Sequence, residues 1–187
     1  MKIGLLFGSY NPVHIGHLLL ATRICEYAGL EEVWLVVSPH NPHKNTGELV
    51  DEKHRLKMVQ LATHQHPFIK VCDIEFKLSR PSYTHITLKE LTSQYPQHNF
   101  SLIIGSDNLE KFDSWKEVQW IKNNFNILVY DRALRPFVNN SGLSILHLPL
   151  IDVSATEIRK RVQEQKTIIY FVPDVVEKYI NENKLYL

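Results

Sequence analysis

Two short runs, residues 2–7 (Lys-Ile-Gly-Leu-Leu-Phe) and 32–37 (Glu-Val-Trp-Leu-Val-Val), are apolar at nearly every position instead of every second one. Strands of that kind must be covered on both faces, which is the condition of a parallel sheet in an α/β fold. Between them Leu18, Leu19, Thr22, Ile24 and Cys25 recur at near-helical spacing over 14–28, until Gly29 stops the pattern. The alternation continues, with helices expected at 51–63, 83–94, 106–112, 115–122, from 154, and at 173–183. Further strands are expected at 69–76, 99–104, 126–130 and 145–148, and residues 38–47, rich in Pro, Asn and His, read as a loop. A chain of 187 residues, 44% hydrophobic, with no repeat and no low-complexity linker, can bury one core, so 1–187 reads as a single domain. The expected fold is a doubly wound, Rossmann-like parallel α/β sheet, with ligands bound beyond the carboxyl ends of its strands.

The 21 basic and 20 acidic residues leave a formal charge of +1, and no dense basic run is interleaved with aromatics. No nucleic acid partner is expected from that balance, and small molecules are favoured. Cys25 and Cys72 lie inside apolar patterns, as reduced core thiols of a cytoplasmic protein do, with a disulfide between them as the alternative. The first apolar run is too short for a signal segment or a membrane span, so no membrane partner is expected. Composition leaves the oligomeric state open.

The first run ends in Gly8-Ser9-Tyr10-Asn11-Pro12-Val13-His14-Ile15-Gly16-His17. A glycine turn brings bare backbone up to a phosphate, and a helix behind it adds the positive end of its dipole. His14 and His17, three apart, would share one face of the opening turn and reach the same anion. Two bland readings compete: surface histidines on an ordinary helix, or half of a zinc site completed by His40 and His43. After the last strand comes Val153-Ser154-Ala155-Thr156-Glu157-Ile158-Arg159. Ser154 and Glu157 have capping-box spacing, which a well-made helix start explains by itself. Thr156 and Arg159 share a face and could add a hydroxyl and a guanidinium to an anion site there.

Together the two segments resemble the paired signatures of the His-x-Gly-His nucleotidyltransferases. Within that superfamily the chain resembles the bacterial nicotinate-nucleotide adenylyltransferases along nearly every loop. The likeness runs through Ser38-Pro39-His40-Asn41-Pro42-His43-Lys44, Arg55 and Met58, Arg80-Pro81-Ser82-Tyr83-Thr84, Ile104-Gly105-Ser106-Asp107, Trp115, Arg132, and Tyr170-Phe171-Val172-Pro173 to Tyr186. The resemblance implies transfer of the adenylyl group of ATP to nicotinate mononucleotide, with release of pyrophosphate. It implies catalytic roles for His14, His17 and Arg159, and an ATP site at Gly8, Ser9, Tyr10, Gly16, Lys44, Ser154 and Thr156. Gly16 would leave room for the nucleoside. The acceptor would lie on Tyr83, Thr84, Asp107, Trp115 and Arg132, and Mg²⁺ would arrive with ATP on mostly water ligands, with no protein side chain as its ligand.

The acceptor also fits on physical grounds. A carboxylate on a cationic ring needs N–H donors, which Tyr83-Thr84 at a helix start can offer, and an aromatic face, which Trp115 can offer. The bland alternatives are a capping role for Asp107 and a core role for Trp115. One departure stands out: the family usually has aspartate where this chain has Asn11, and commonly Gly-Thr-Phe where it has Gly8-Ser9-Tyr10. An amide there keeps the turn and loses a charge near the phosphates. The alternatives are a related nucleotidyltransferase acting on nicotinamide mononucleotide, phosphopantetheine or a polyol phosphate, and a non-catalytic nucleotide sensor.

Overall fold

A computed structural model describes residues 1–39, 49–109, 111–130, 144–146, 148 and 152–187. Among them six strands, β1 (Lys2–Gly8), β2 (Glu32–Val37), β3 (Ile69–Cys72), β4 (Asn99–Gly105), β5 (Asn126–Tyr130) and β6 (Ser144–Leu146), lie in the order β3-β2-β1-β4-β5-β6. Every pairing is parallel. The two runs that opened the sequence are neighbours at the centre, in register from Ile3 opposite Glu32 to Gly8 opposite Val37. The order reverses between β1 and β4, and a crevice at that switch point is where such sheets bind ligands.

Alternate residues of each central strand go to opposite faces, and both faces are apolar. Leu6, Val33, Leu35, Val37, Ile103 and Leu128 join one core with residues of α1 (Ile15–Tyr27), α2 (Glu52–Thr63), α6 (Ala155–Gln163) and α7 (Asp174–Glu182). Ile3, Leu5, Val36, Leu102, Ile104 and Val129 join the other with α3 (Thr84–Gln94) and α5 (Val118–Asn124). That double coverage is why the strands show no polar alternation. Both thiols are buried and free, so the disulfide alternative does not hold. No helix among the described residues is long and apolar enough to cross a membrane.

Three boundaries differ from expectation. The strand at 69–76 stops at Cys72, and Ile74–Lys77 form a 3₁₀ turn. Strand spacing would expose Glu75, whereas the turn buries it to 2% exposure and gives its carboxylate the Thr87 hydroxyl at 2.8 Å. The helix at 106–112 divides into α4 (Ser106–Leu109) and a 3₁₀ turn, Phe112–Ser114. The helix at 115–122 starts only at Val118, because Glu117 takes a left-handed φ of 58° ahead of it. Trp115 therefore sits on a turn, half-buried, edge-on to Phe112 with ring centroids 5.2 Å apart.

Candidate active site

The turn after β1 is built around Tyr10. A Cβ at Gly8 would stand 2.8 Å from the Tyr10 ring, so only glycine leaves room for that ring to fold back over the strand. Tyr10 takes φ 48°, is 2% exposed, and donates its hydroxyl to the Leu6 carbonyl at 2.6 Å. Its side chain is thus core. Ser9 is buried as well, and its carbonyl accepts from Arg55. Ser9 and Tyr10 shape the turn, and both residues are buried.

His14 stands just outside α1 as its N-cap, with extended backbone, so the pair does not share a helical face. The two imidazoles nonetheless meet, tilted by 34° with ring centroids 3.6 Å apart. Gly16 makes this possible, since a Cβ there would lie 2.9 Å from Nδ1 of His14 and 3.6 Å from the Val153 carbonyl oxygen. The room at Gly16 is taken by the His14 ring. His17 is oriented twice over. Its ring meets the edge of Tyr10 at 5.0 Å, and its Nδ1 accepts the backbone N–H of His14 at 3.2 Å. An imidazole accepting at Nδ1 carries its proton on Nε2, so His17 presents an N–H donor on its far side.

At α6, Ser154 caps the helix by accepting the Glu157 N–H at 3.1 Å, and its hydroxyl proton remains to be donated. Arg159 joins the two signatures. One guanidinium nitrogen donates to the Asn11 carbonyl at 3.0 Å and the other to the Thr156 hydroxyl at 3.3 Å. The backbone gives less than the sequence suggested. The Ile15 N–H at the start of α1 goes to the Phe171 carbonyl at 2.9 Å, so that backbone donor is already occupied.

Asn11 is a structural knot. Its side-chain oxygen accepts the Val50 N–H at 3.3 Å and the Tyr186 hydroxyl at 3.1 Å. Arg55, 1% exposed, clamps the same region from below. Its guanidinium donates to the carbonyls of Ser9 (2.6 Å), Ser38 (2.8 Å), Pro39 (2.7 Å) and Val50 (3.1 Å). Burial pushes the Arg55 pKa down, and the nearby Glu52 carboxylate opposes that.

Across the crevice, Tyr83 caps α3 without a side-chain hydrogen bond, so the first N–H groups of that helix have no side-chain cap. Beside this helix start, the buried Glu75 carboxylate lies among the hydroxyls of Thr87, Ser38 and Ser82, and His85 Nδ1 is buried with no hydrogen-bond partner among the described residues. Burial pushes the Glu75 carboxyl pKa up, against the hydroxyls of Thr87, Ser38 and Ser82. The ammonium of Lys116, next to Trp115, lies 4.6 Å from the Tyr83 ring centroid and ties the 115–116 turn to the start of α3. Asp107 is exposed and folds over Gly105, where a Cβ would collide with its carboxylate. Lys44, Arg132, His40 and His43 lie outside the described residues. Sequence reasoning missed the roles of Arg55, Glu75 and Tyr186.

Residues 5–161 match the family model described as cytidylyltransferase-like. A protein of Flavobacterium johnsoniae named "Probable nicotinate-nucleotide adenylyltransferase" is 44% identical, over 100% of this chain and 99% of its own. A protein of Bacteroides thetaiotaomicron with the same name is 45% identical, over 97% and 92%. Among solved structures, a Plasmodium falciparum nicotinic acid mononucleotide adenylyltransferase complexed with NaAD superposes with a TM-score of 0.80 at 19% identity, covering 99% of this chain and 97% of that one. At that identity the likeness speaks for the fold.

Proposed function

The chain belongs to the cytidylyltransferase-like family and, within it, to the nicotinate-nucleotide adenylyltransferases, and from that premise we propose how its residues divide the work. The reaction is transfer of the adenylyl group of ATP to nicotinate mononucleotide in NAD biosynthesis. An oxygen of the acceptor's 5′-phosphate forms a bond to the α-phosphorus. The bond from that phosphorus to the bridging oxygen breaks, and pyrophosphate leaves with the electron pair. A phosphate nucleophile is already ionised, so the protein's task is alignment and charge stabilisation.

The observation that carries this division is the hydrogen bond from Arg159 to the Asn11 carbonyl, which holds the second signature against the first. His17 then donates from Nε2 to the α-phosphate, with His14 stacked beside it. Arg159, Thr156 and the Ser154 hydroxyl take the β and γ phosphates on the leaving side. Gly8, Ser9, Tyr10 and Gly16 serve by shaping the turn, and Lys44 adds charge from the 38–47 loop. Among the described residues no three His, Cys, Asp or Glu side chains converge on a point. Mg²⁺ would be carried by the triphosphate with waters completing its shell, where it would neutralise phosphate charge. A cytoplasmic setting goes with this substrate pair.

The acceptor's carboxylate meets the uncapped start of α3 at Tyr83-Thr84, its cationic ring meets Trp115, Asp107 takes a ribose hydroxyl, and Arg132 its phosphate. Trp115→Ala should raise the acceptor KM about tenfold or more, as expected for loss of a desolvated cation–π face, with the ATP KM within about twofold. Steady-state kinetics at saturating co-substrate reads this directly. An unchanged acceptor KM removes Trp115 from the pocket.

The whole reading is tested by offering nicotinate mononucleotide, nicotinamide mononucleotide, phosphopantetheine and a polyol phosphate with ATP or CTP and following pyrophosphate. Turnover should be fastest with ATP and the nicotinate nucleotide. Turnover confined to phosphopantetheine overturns the acceptor assignment, and tight ATP binding without pyrophosphate from any acceptor identifies a sensor.

A further inference from the structure

The side chain of Tyr186 reaches the Asn11 turn from 175 positions along the chain. Only 9% of the residue is exposed, and its ring packs in the core shared with α1, α2, α6 and α7. The backbone that brings it there is costly, because Lys184 and Tyr186 both hold left-handed φ values, 49° and 66°, without being glycine. Such strain persists only where the surroundings over-determine it, and it gathers at functional sites. What the strain secures is one hydroxyl on the side-chain oxygen of Asn11, the residue whose carbonyl receives Arg159. Taking Arg159 as a ligand of the leaving phosphates, as in the reading above, we propose that Tyr186 is a positioning residue of the transfer reaction. It pins Asn11, and through Asn11 it holds the guanidinium of Arg159 in line with the departing pyrophosphate.

The chemistry suits a permanent pin. Burial pushes the phenol pKa up, while the charges of Arg159 and Arg55 pull the other way, so at neutral pH the hydroxyl keeps its proton to donate. The amide at position 11 suits it equally, since its oxygen accepts two donors at once, from Val50 and from Tyr186. The amide that stands in place of the family's usual aspartate thus accepts both bonds without carrying a charge.

Tyr186→Phe tests this by removing one oxygen from a ring that stays packed. Asn11 keeps the Val50 N–H, so no acceptor is stripped bare and the Tm should stay within a few degrees. With ATP and nicotinate mononucleotide, kcat should fall about fivefold or more, with the acceptor KM within about twofold. In an Arg159→Ala background the same substitution should cost less than about twofold, because the group it acts through is gone. Equal losses in the two backgrounds, or a lower Tm with kcat unchanged, overturn the proposal. Failure of the underlying reading looks different, because the parent protein itself would then form no pyrophosphate. In that case calorimetric ATP binding decides: weakening by Tyr186→Phe only when Arg159 is present supports the pin, and equal change in both backgrounds overturns it.

Discussion

His17→Ala is expected to lower kcat by about 10²–10³-fold while ATP affinity changes by less than about fivefold. The asymmetry follows from the tautomer. Because the His14 N–H occupies Nδ1 of His17, the donor at Nε2 is fixed before substrate arrives, and the Tyr10 ring edge fixes its direction. A preorganised donor gains most where charge develops, on the α-phosphate oxygens in the transition state, and less against the ground-state triphosphate. Removing it also strips an acceptor from the start of α1, at a stability cost of about 1 kcal/mol, which thermal unfolding separates from the kinetic effect. His17→Gln, whose amide nitrogen can stand near the Nε2 position, should retain more activity than the alanine variant. Equal losses in kcat and ATP affinity by single-turnover kinetics and calorimetry would confine His17 to ground-state binding.

The sheet was legible because its cause is local. A strand buried on both faces has to be apolar throughout, so each central run announced itself, and parallel strands need the helices between them. The two signatures were legible as separate segments, yet the bond that joins them spans 148 positions, and no spacing rule foretells it. Arg55 illustrates the limit from the other side. Its helix is of mixed composition, and only the convergence of four backbone carbonyls from three segments lets so large a charged side chain be 1% exposed. Glu75 was not singled out, for a related reason. Between Ile74 and Phe76 it fits the polar phase of a strand, but the hydroxyl that shares its carboxylate lies twelve positions away on α3. Long-range pairing overrode the local pattern in each case. His14 differs, since it moved only from the first turn of α1 to its cap, and the ring contact with His17 survived because Gly16 left space for it.

Arg55→Met should destabilise the fold by about 3–5 kcal/mol, because it takes away a buried guanidinium and with it four hydrogen bonds to backbone carbonyls. The carbonyls of Ser9 and Ser38 belong to buried residues at the exits of β1 and β2, and β1 is one of the two strands at the switch point. Their separation is set by one nitrogen of Arg55 lying 2.6 Å from the first and 2.8 Å from the second. For a chain of this size the loss corresponds to a fall in Tm of about 10 °C. Arg55→Lys divides the two things that the side chain supplies. An ammonium keeps a positive charge beneath the turn after β1 but cannot span four acceptors from one planar fork, so it should recover ATP affinity better than stability. Denaturation of both variants, paired with ATP titrations at low and high salt, reads the two effects separately. If Arg55→Met unfolds at the parent temperature, the clamp is not what holds the turn. If Arg55→Lys restores the full Tm, charge and not the fan of carbonyl bonds is what the site requires.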